Sequence, residues 1–289
     1  MAAAADPAPI RVGVLGGGLM GSGIAETAAR SGHDVRLFEP VEANRAGAVG
    51  RIEASTERAV ARGKLEAPAR TALLGRITSV DGYDELADRE LVIEAVSEDV
   101  EVKLACFREL DRVAAADAVL ASNTSSIPIA ALASVVRDPG RVLGLHFFSP
   151  VPVMPLVEVV RALETNDPTI AIAERFVATL GYSTIVAKDR AGFIVNMLLV
   201  PYLVSAVRML EEGFATREDI DAGMKIGCGH PMGPLTLADF IGLDVVAAIC
   251  DALQAEFARP EFAAPPLLRR MLAAGRLGRK SGRGFYEYH

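Results

Sequence analysis

Ile10-Arg-Val-Gly-Val-Leu-Gly16-Gly-Gly18-Leu-Met-Gly21 is the stretch on which the reading of this chain turns. Residues 10–15 are a short, β-branched apolar run that stops at glycines, which reads as a strand. A helix follows from about Met20 to Arg30 and ends at Ser31-Gly32. Between them, glycines at 16, 18 and 21 make a Gly-x-Gly-x-x-Gly motif. Gly16 permits the tight turn, Gly18 lets a pyrophosphate approach the backbone, and Gly21 lets helix and strand pack closely. The helix N-terminus then offers N–H groups and a positive dipole end to phosphates. Alone, the motif is equally a glycine-rich turn that holds nothing. Its context narrows the choice: Val35-Arg-Leu-Phe38 reads as the second strand and closes on Glu39, eighteen residues beyond Gly21. A carboxylate there would take the ribose hydroxyls of a dinucleotide and repel a 2′-phosphate, favouring NAD over NADP.

Working outward, helices are expected at 42–62, 68–74 and 167–180. Strands are expected at 91–93, 119–121, 142–145, 156–160 and 182–186. Strands alternating with helices imply a parallel, doubly wound sheet. After about Lys188 the alternation stops, and 193–212, 216–224, 235–254 and 267–274 all carry helical spacing. The expected architecture is an α/β Rossmann-type doubly wound domain over 1–188, followed by an all-α C-terminal domain over 189–289. No repeat of fixed period is present.

Composition bounds the function. The chain has 289 residues, enough for two domains, and 51% of them are hydrophobic. A net charge of −7 argues against nucleic acid or an anionic membrane as the main partner. Cys106, Cys228 and Cys250 lie far apart without metal-ligand spacing, and their odd number argues against a disulfide framework. A reducing cytoplasm fits best, and no metal is expected. The alanine-rich opening lacks the basic start and apolar core of a secretion signal. No apolar run reaches the ~20 residues that span a bilayer.

Four segments carry candidate chemistry. Leu91-Val-Ile-Glu94-Ala-Val-Ser-Glu98 is a strand that emerges into acidic residues, with Lys103 just beyond. At the carboxyl edge of a parallel sheet, Glu98 and Lys103 either meet a nicotinamide ribose or form a solvated helix start. Ser122-Asn-Thr-Ser-Ser126 precedes Ile127-Pro128. Helix capping explains some of these polar residues, but five exceed what one cap needs. His146 and Glu158 stand twelve residues apart in an otherwise almost wholly apolar run. They are either a satisfied core histidine and a surface glutamate, or a general base with its partner carboxylate. A carboxylate on the far imidazole nitrogen would fix the tautomer and raise the basicity of the near one. Finally, Asn196 is a single amide in an apolar helix. It must find either a substrate oxygen or a helix–helix hydrogen bond.

Taken together these segments resemble the L-3-hydroxyacyl-CoA dehydrogenases, in particular their short 3-hydroxybutyryl-CoA dehydrogenase form. The resemblance runs from about Ile10 to Tyr288. It rests on Gly-x-Gly-x-x-Gly, Val-Ile-Glu-Ala-Val, Ser-Asn-Thr-Ser-Ser, His-Phe-Phe-Ser-Pro with Leu-Val-Glu-Val, and Gly-Phe-Ile-Val-Asn. Asp219-Ile-Asp221-x-x-Met224, Pro231-Met-Gly-Pro-Leu235 and Gly284-Phe-Tyr286 complete it. The resemblance implies His146 as catalytic base with Glu158 as its partner, and Ser125 and Asn196 on the substrate's 3-oxygen. It implies NAD contacts at Gly16, Gly18, Leu19, Met20, Gly21, Glu39, Ala95, Glu98, Lys103, Asn123, Ser149 and Lys280. Ser55 and Lys64 match the coenzyme A arm. Arg51, Arg58 and Arg62 share one helix face, suited either to phosphates or to solvent. The family usually has asparagine where Ser149 stands, and often basic residues where Pro155 and Met197 stand.

The implied reaction is oxidation of a 3-hydroxyacyl thioester to the 3-oxoacyl thioester, or the reverse. Apolar stretches at 197–204 and 235–241 suggest a homodimer through the helical domain, as in the family. Three alternatives stay open. Dehydrogenases of the 3-hydroxyisobutyrate type carry a catalytic lysine four residues before their helix asparagine, where this chain has Gly192. A relative acting on a carrier-protein thioester or a sugar acid is the second, and a catalytically silent NAD-binding protein the third.

Overall fold

The sheet begins with β1 (Arg11–Leu15), β2 (Asp34–Phe38), β3 (Ile77–Val80), β4 (Leu91–Glu94) and β5 (Val119–Ser122). It is completed by β6 (Val142–Phe147), β7 (Leu156–Arg161) and β8 (Ser183–Lys188). The computed structural model describes residues 8–288; most of the alanine-rich opening lies outside the described residues. The eight strands lie in the order β3-β2-β1-β4-β5-β6-β7-β8. From β3 through β6 every pair is parallel. β4 and β5 are buried at every residue, as strands covered on both faces should be. The covering helices are α1 (Leu19–Arg30), α2 (Glu42–Ala61), α3 (Ala67–Leu74), α4 (Val100–Val113), α5 (Ile129–Ala133) and α6 (Asp167–Thr179). Strand order reverses between β1 and β4, and the crevice outside their carboxyl ends is where such sheets bind ligands.

The last two strands depart from the expected uniformly parallel sheet. β7 runs antiparallel to β6, and β8 is parallel to β7. Only residues 148–155 join β6 to β7, fewer than the dozen or more a parallel crossover needs, so the chain can only turn back. β3 and α4 were not foreseen. β3 has two exposed polar residues among four, and α4 exposes Val100 and Val102 while burying Lys103, Cys106, Phe107 and Leu110.

The chain divides into two compact units, up to Asp189 and from Arg190 onward. The second unit consists of α7 (Val195–Glu211), α8 (Arg217–Ala222), α9 (Pro234–Ile241), α10 (Leu243–Phe257) and α11 (Pro266–Ala273). The single helix expected over 235–254 is two, because Gly242 at φ +105° leaves the helical region. The helix expected over 216–224 ends at Ala222 and passes into a π-helical turn, Gly223–Gly227. Two buried carboxylates staple this unit. Asp221 accepts from the N–H groups of Leu235 and Thr236, and Asp239 from those of Phe285 and Tyr286. Among the described residues no helix is long and apolar enough to cross a membrane.

Candidate active site

At the carboxyl end of β1, Gly16 and Gly21 have the backbone roles their spacing predicts, and Gly18 is left bare. Gly16 sits at φ +103°, and a Cβ there would lie 2.5 Å from the Ala95 carbonyl oxygen. A Cβ on Gly21 would lie 1.8 Å from the Gly16 carbonyl oxygen, so α1 can approach β1 only with glycine here. A Cβ on Gly18 would meet nothing within 4 Å. No side chain caps the start of α1. An open backbone face at an uncapped helix N-terminus fits a dinucleotide pyrophosphate. Leu19 is 69% exposed and Met20 partly so, flanking that face. Glu39 accepts the Gly17 N–H through Oε2 at 2.6 Å and the Val41 N–H through Oε1 at 3.0 Å. Each carboxylate oxygen keeps a lone pair that a ribose hydroxyl can use.

Across the crevice, β4 ends in Glu94, a fully buried carboxylate whose partners the sequence does not show. Its Oε1 accepts from Lys103 Nζ at 2.6 Å and from the Val96 N–H at 2.7 Å, and its Oε2 accepts from Ser122 Oγ at 2.6 Å. Lys103 is itself only 1% exposed. The available signal was a charge closing an apolar strand with a lysine one turn into the next helix. Lys103 also lies 3.4 Å from Glu98 Oε2. Glu98 Oε1 accepts the Ser125 N–H at 3.0 Å, Ser126 Oγ at 3.1 Å and Thr124 Oγ. Burial pushes the Glu98 carboxyl pKa up, but Lys103 and these donors outweigh it and hold the pKa below the ordinary value. Glu98 thus fixes the loop after β5. Asn123 Oδ1 accepts the Phe147 N–H at 2.9 Å and ties that loop to β6. A further residue that sequence reading missed, Asp189, accepts the N–H groups of Ile129 and Ala130 and caps α5.

The antiparallel register sets His146 directly opposite Glu158. His146 Nδ1 lies 2.7 Å from Glu158 Oε2, with the histidine 4% and the glutamate 0% exposed. Ser125 Oγ lies 3.0 Å from His146 Nε2. The core-histidine alternative is therefore only half right: His146 is satisfied and buried, but its partner is a buried carboxylate and its outer nitrogen meets a partly exposed hydroxyl. An Nδ1–H donated to Glu158 leaves an Nε2 lone pair for a proton from a hydroxyl. This line can remove a proton from an alcohol and stabilise the imidazolium that forms. The Phe148 ring packs 4.7 Å from the imidazole, and Ser149 is exposed at the start of the following turn.

Ser55 on α2 is half-buried; Arg58 on α2, and Arg62 and Lys64 just past its end, are exposed; Arg51, also exposed, reaches the Gly17 carbonyl. In the second unit Asn196 is 8% exposed, one residue inside α7. Lys280 Nζ donates to Asp244 Oδ2 at 2.6 Å, at the start of α10. Among the described residues no cluster of three histidine, cysteine or acidic side chains is arranged to hold a metal ion.

Known proteins share this fold and much of the sequence that builds it. Residues 11–190 match the family described as 3-hydroxyacyl-CoA dehydrogenase, NAD binding domain, and residues 192–288 match its C-terminal domain. A 3-hydroxybutyryl-CoA dehydrogenase of Mycobacterium tuberculosis is 55% identical over 280 residues, 96% of this chain and 98% of that protein. The crystal structure of M. tuberculosis FadB2 superposes with a TM-score of 0.96 at 54% identity, covering 98% of this chain and 100% of that one. That of an (S)-3-hydroxybutyryl-CoA dehydrogenase from Ralstonia eutropha does so with a TM-score of 0.93 at 42% identity, again covering 98% and 100%. With both family domains matched in order along nearly its whole length, this chain belongs to the 3-hydroxyacyl-CoA dehydrogenase family, a family of NAD-dependent oxidoreductases.

Proposed function

We propose that the protein interconverts (S)-3-hydroxyacyl-CoA and 3-oxoacyl-CoA, with 3-hydroxybutyryl-CoA as its principal substrate and NAD as its cofactor. The observation that carries this reading is the line Ser125 Oγ, His146 Nε2, His146 Nδ1, Glu158 Oε2, with successive contacts of 3.0 Å and 2.7 Å. His146 removes the 3-hydroxyl proton through Nε2, and Glu158 stabilises the resulting imidazolium. Such assistance is typically worth roughly 10²–10⁴-fold. Bound NAD supplies the acceptor for the hydride that leaves C3. Ser125, with Asn196, holds the oxygen so that its proton points at Nε2. Gly16, Gly18, Gly21 and Glu39 receive the pyrophosphate and adenosine ribose. Leu19, Met20, Ala95, Asn123, Ser149 and Lys280 complete the cofactor contacts. Glu98 and Lys103 support the nicotinamide side from within the fold, since Lys103 is buried on Glu94. Ser55 and Lys64 receive the coenzyme A arm.

The assigned division of labour is cofactor binding over 1–188, and substrate binding with homodimerisation over 189–289, in a cytoplasmic enzyme. Leu198 and Ile226, 72% and 84% exposed, support an apolar contact on the helical unit. The test is NADH oxidation with acetoacetyl-CoA, beside His146→Ala and a parallel NADPH assay. Turnover with NADH that His146→Ala loses, with cofactor still bound, is expected. No turnover by folded, NADH-binding wild type would reject the acyl-CoA assignment and move the search to carrier-protein thioesters and sugar acids.

A further inference from the structure

We infer that Arg51 positions the cofactor's pyrophosphate, acting through the Gly17–Gly18 peptide rather than on coenzyme A. The inference rests on the NAD site proposed above. Arg51 extends from α2 toward the glycine turn, donating to the Gly17 carbonyl from Nε at 3.0 Å and from Nη2. Ser22 Oγ donates to the same carbonyl at 2.9 Å. From the other side, Glu39 takes the Gly17 N–H at 2.6 Å. The turn's second glycine is therefore held at both its polar groups.

The consequence follows from peptide geometry. The Gly17–Gly18 bond is trans, so its C=O and N–H point in opposite directions. Three donor atoms, two from Arg51 on α2 and Ser22 Oγ on α1, fix the carbonyl, which aims the Gly18 N–H away from them. Among the described residues no protein group accepts from that N–H. It is the donor a pyrophosphate oxygen would use. An unclamped glycine peptide can rotate, and each cofactor bound would then have to order it. The guanidinium adds a positive charge behind the same peptide.

The test compares wild type with Arg51→Met, and with Ser22→Ala in case the first variant fails to fold. NADH binding is followed by the fluorescence of the nicotinamide, with ADP-ribose and adenosine as competitors. For Arg51→Met, which loses both hydrogen bonds from the guanidinium to the Gly17 carbonyl, the Kd for NADH and the Ki for ADP-ribose are expected to rise about tenfold. Adenosine, which lacks the pyrophosphate, should bind unchanged, as should acetoacetyl-CoA judged by its KM. Ser22→Ala should shift NADH and ADP-ribose the same way by a smaller factor. Equal weakening of adenosine would overturn the inference, and so would a raised KM for acetoacetyl-CoA with NADH binding intact. Wild-type binding of NADH that neither variant alters overturns the inference alone. Failure of the wild type to bind NADH overturns the cofactor reading beneath it.

Discussion

Glu158→Gln isolates the charge in the His146–Glu158 pair while keeping its shape. The carboxylate is wholly buried and its Oε2 lies 2.7 Å from His146 Nδ1. Glutamine can still offer a carbonyl oxygen to the Nδ1–H, so most of the neutral hydrogen bond survives. What disappears is the attraction between a carboxylate and the imidazolium that forms as the substrate hydroxyl is deprotonated. With charge centres ~4 Å apart and an effective dielectric of ~20, that attraction is about 4 kcal/mol. If the proton is half or more transferred at the transition state, about 2–4 kcal/mol of it is felt there, or roughly 30- to 1,000-fold in kcat. The assay is oxidation of (S)-3-hydroxybutyryl-CoA by NAD, the direction in which His146 starts neutral. NADH affinity should stay near that of wild type, because Glu158 is a buried residue of β7, paired to β6 and β8, away from the proposed glycine turn. A folded Glu158→Gln with normal NADH binding and a kcat within about threefold of wild type would refute the reasoning. Glu158 would then be an orienting group whose charge the reaction does not use.

Other consequences follow from the cluster at the end of β4. Glu94→Gln leaves Lys103 buried with only Glu98, 3.4 Å away. It should cost about 3–5 kcal/mol in urea unfolding, and the double change Glu94→Gln with Lys103→Met, which removes the stranded cation while keeping a polar partner for the Val96 N–H and Ser122 Oγ, should recover most of that. A pair of equally stable single and double variants would show that the ion pair is not what holds this corner. Glu98 has a folded pKa below its ordinary value of 4.5, so the folded state holds its proton less tightly than the unfolded chain. Its stabilising contribution is present above the unfolded value and is lost as pH falls through the folded one. Glu98→Gln should therefore flatten the acid side of the stability curve measured by denaturant titration. Unchanged acid dependence would contradict the assignment of Glu98 as the loop's anchor.

Legibility in the sequence followed the range of the interaction. The glycine turn could be read because its demands are local: a positive φ at Gly16, a bare backbone at Gly18 and a close approach at Gly21 need only a strand before and a helix after. Glu39 could be placed at the end of β2 for the same reason, though not its hold on the Gly17 and Val41 N–H groups. His146 and Glu158 stood out as ionisable groups in an apolar run, although nothing in the spacing alone showed that they face each other. Glu94 was legible only as an acid closing a strand ahead of Lys103, and its contact with Ser122, like that of Asp189 with Ile129 and Ala130, lay too far along the chain to be read. Arg51 was read on the wrong neighbours: its place on a helix face suggests the company of Arg58 and Arg62, while its length carries it to Gly17. A long side chain is poorly located by its Cα.

The reversal at β7 explains why the dyad exists at all. In the parallel part of the sheet, neighbouring strands are separated by a helical crossover, and side chains meet at the carboxyl edge on loops. β6 and β7 are joined by a short turn instead, so two residues twelve apart become register partners within regular strands. Cross-strand partners have Cβ atoms ~4.5–5.5 Å apart, and their backbone is fixed by the ladder rather than by loop contacts. The proton-handling pair therefore stands on the rigid part of the fold. Ser125 does not; it lies on the loop after β5 and holds its place through Glu98, Asn123 and the Thr124 side chain. The two halves of the site should consequently fail differently. Changes in the turn of residues 148–155, where Ser149 and Pro155 depart from the family pattern, can alter what packs over the imidazole but leave the His146–Glu158 spacing to the strands. Changes around Glu98 leave the dyad intact and release the Ser125 hydroxyl beside it.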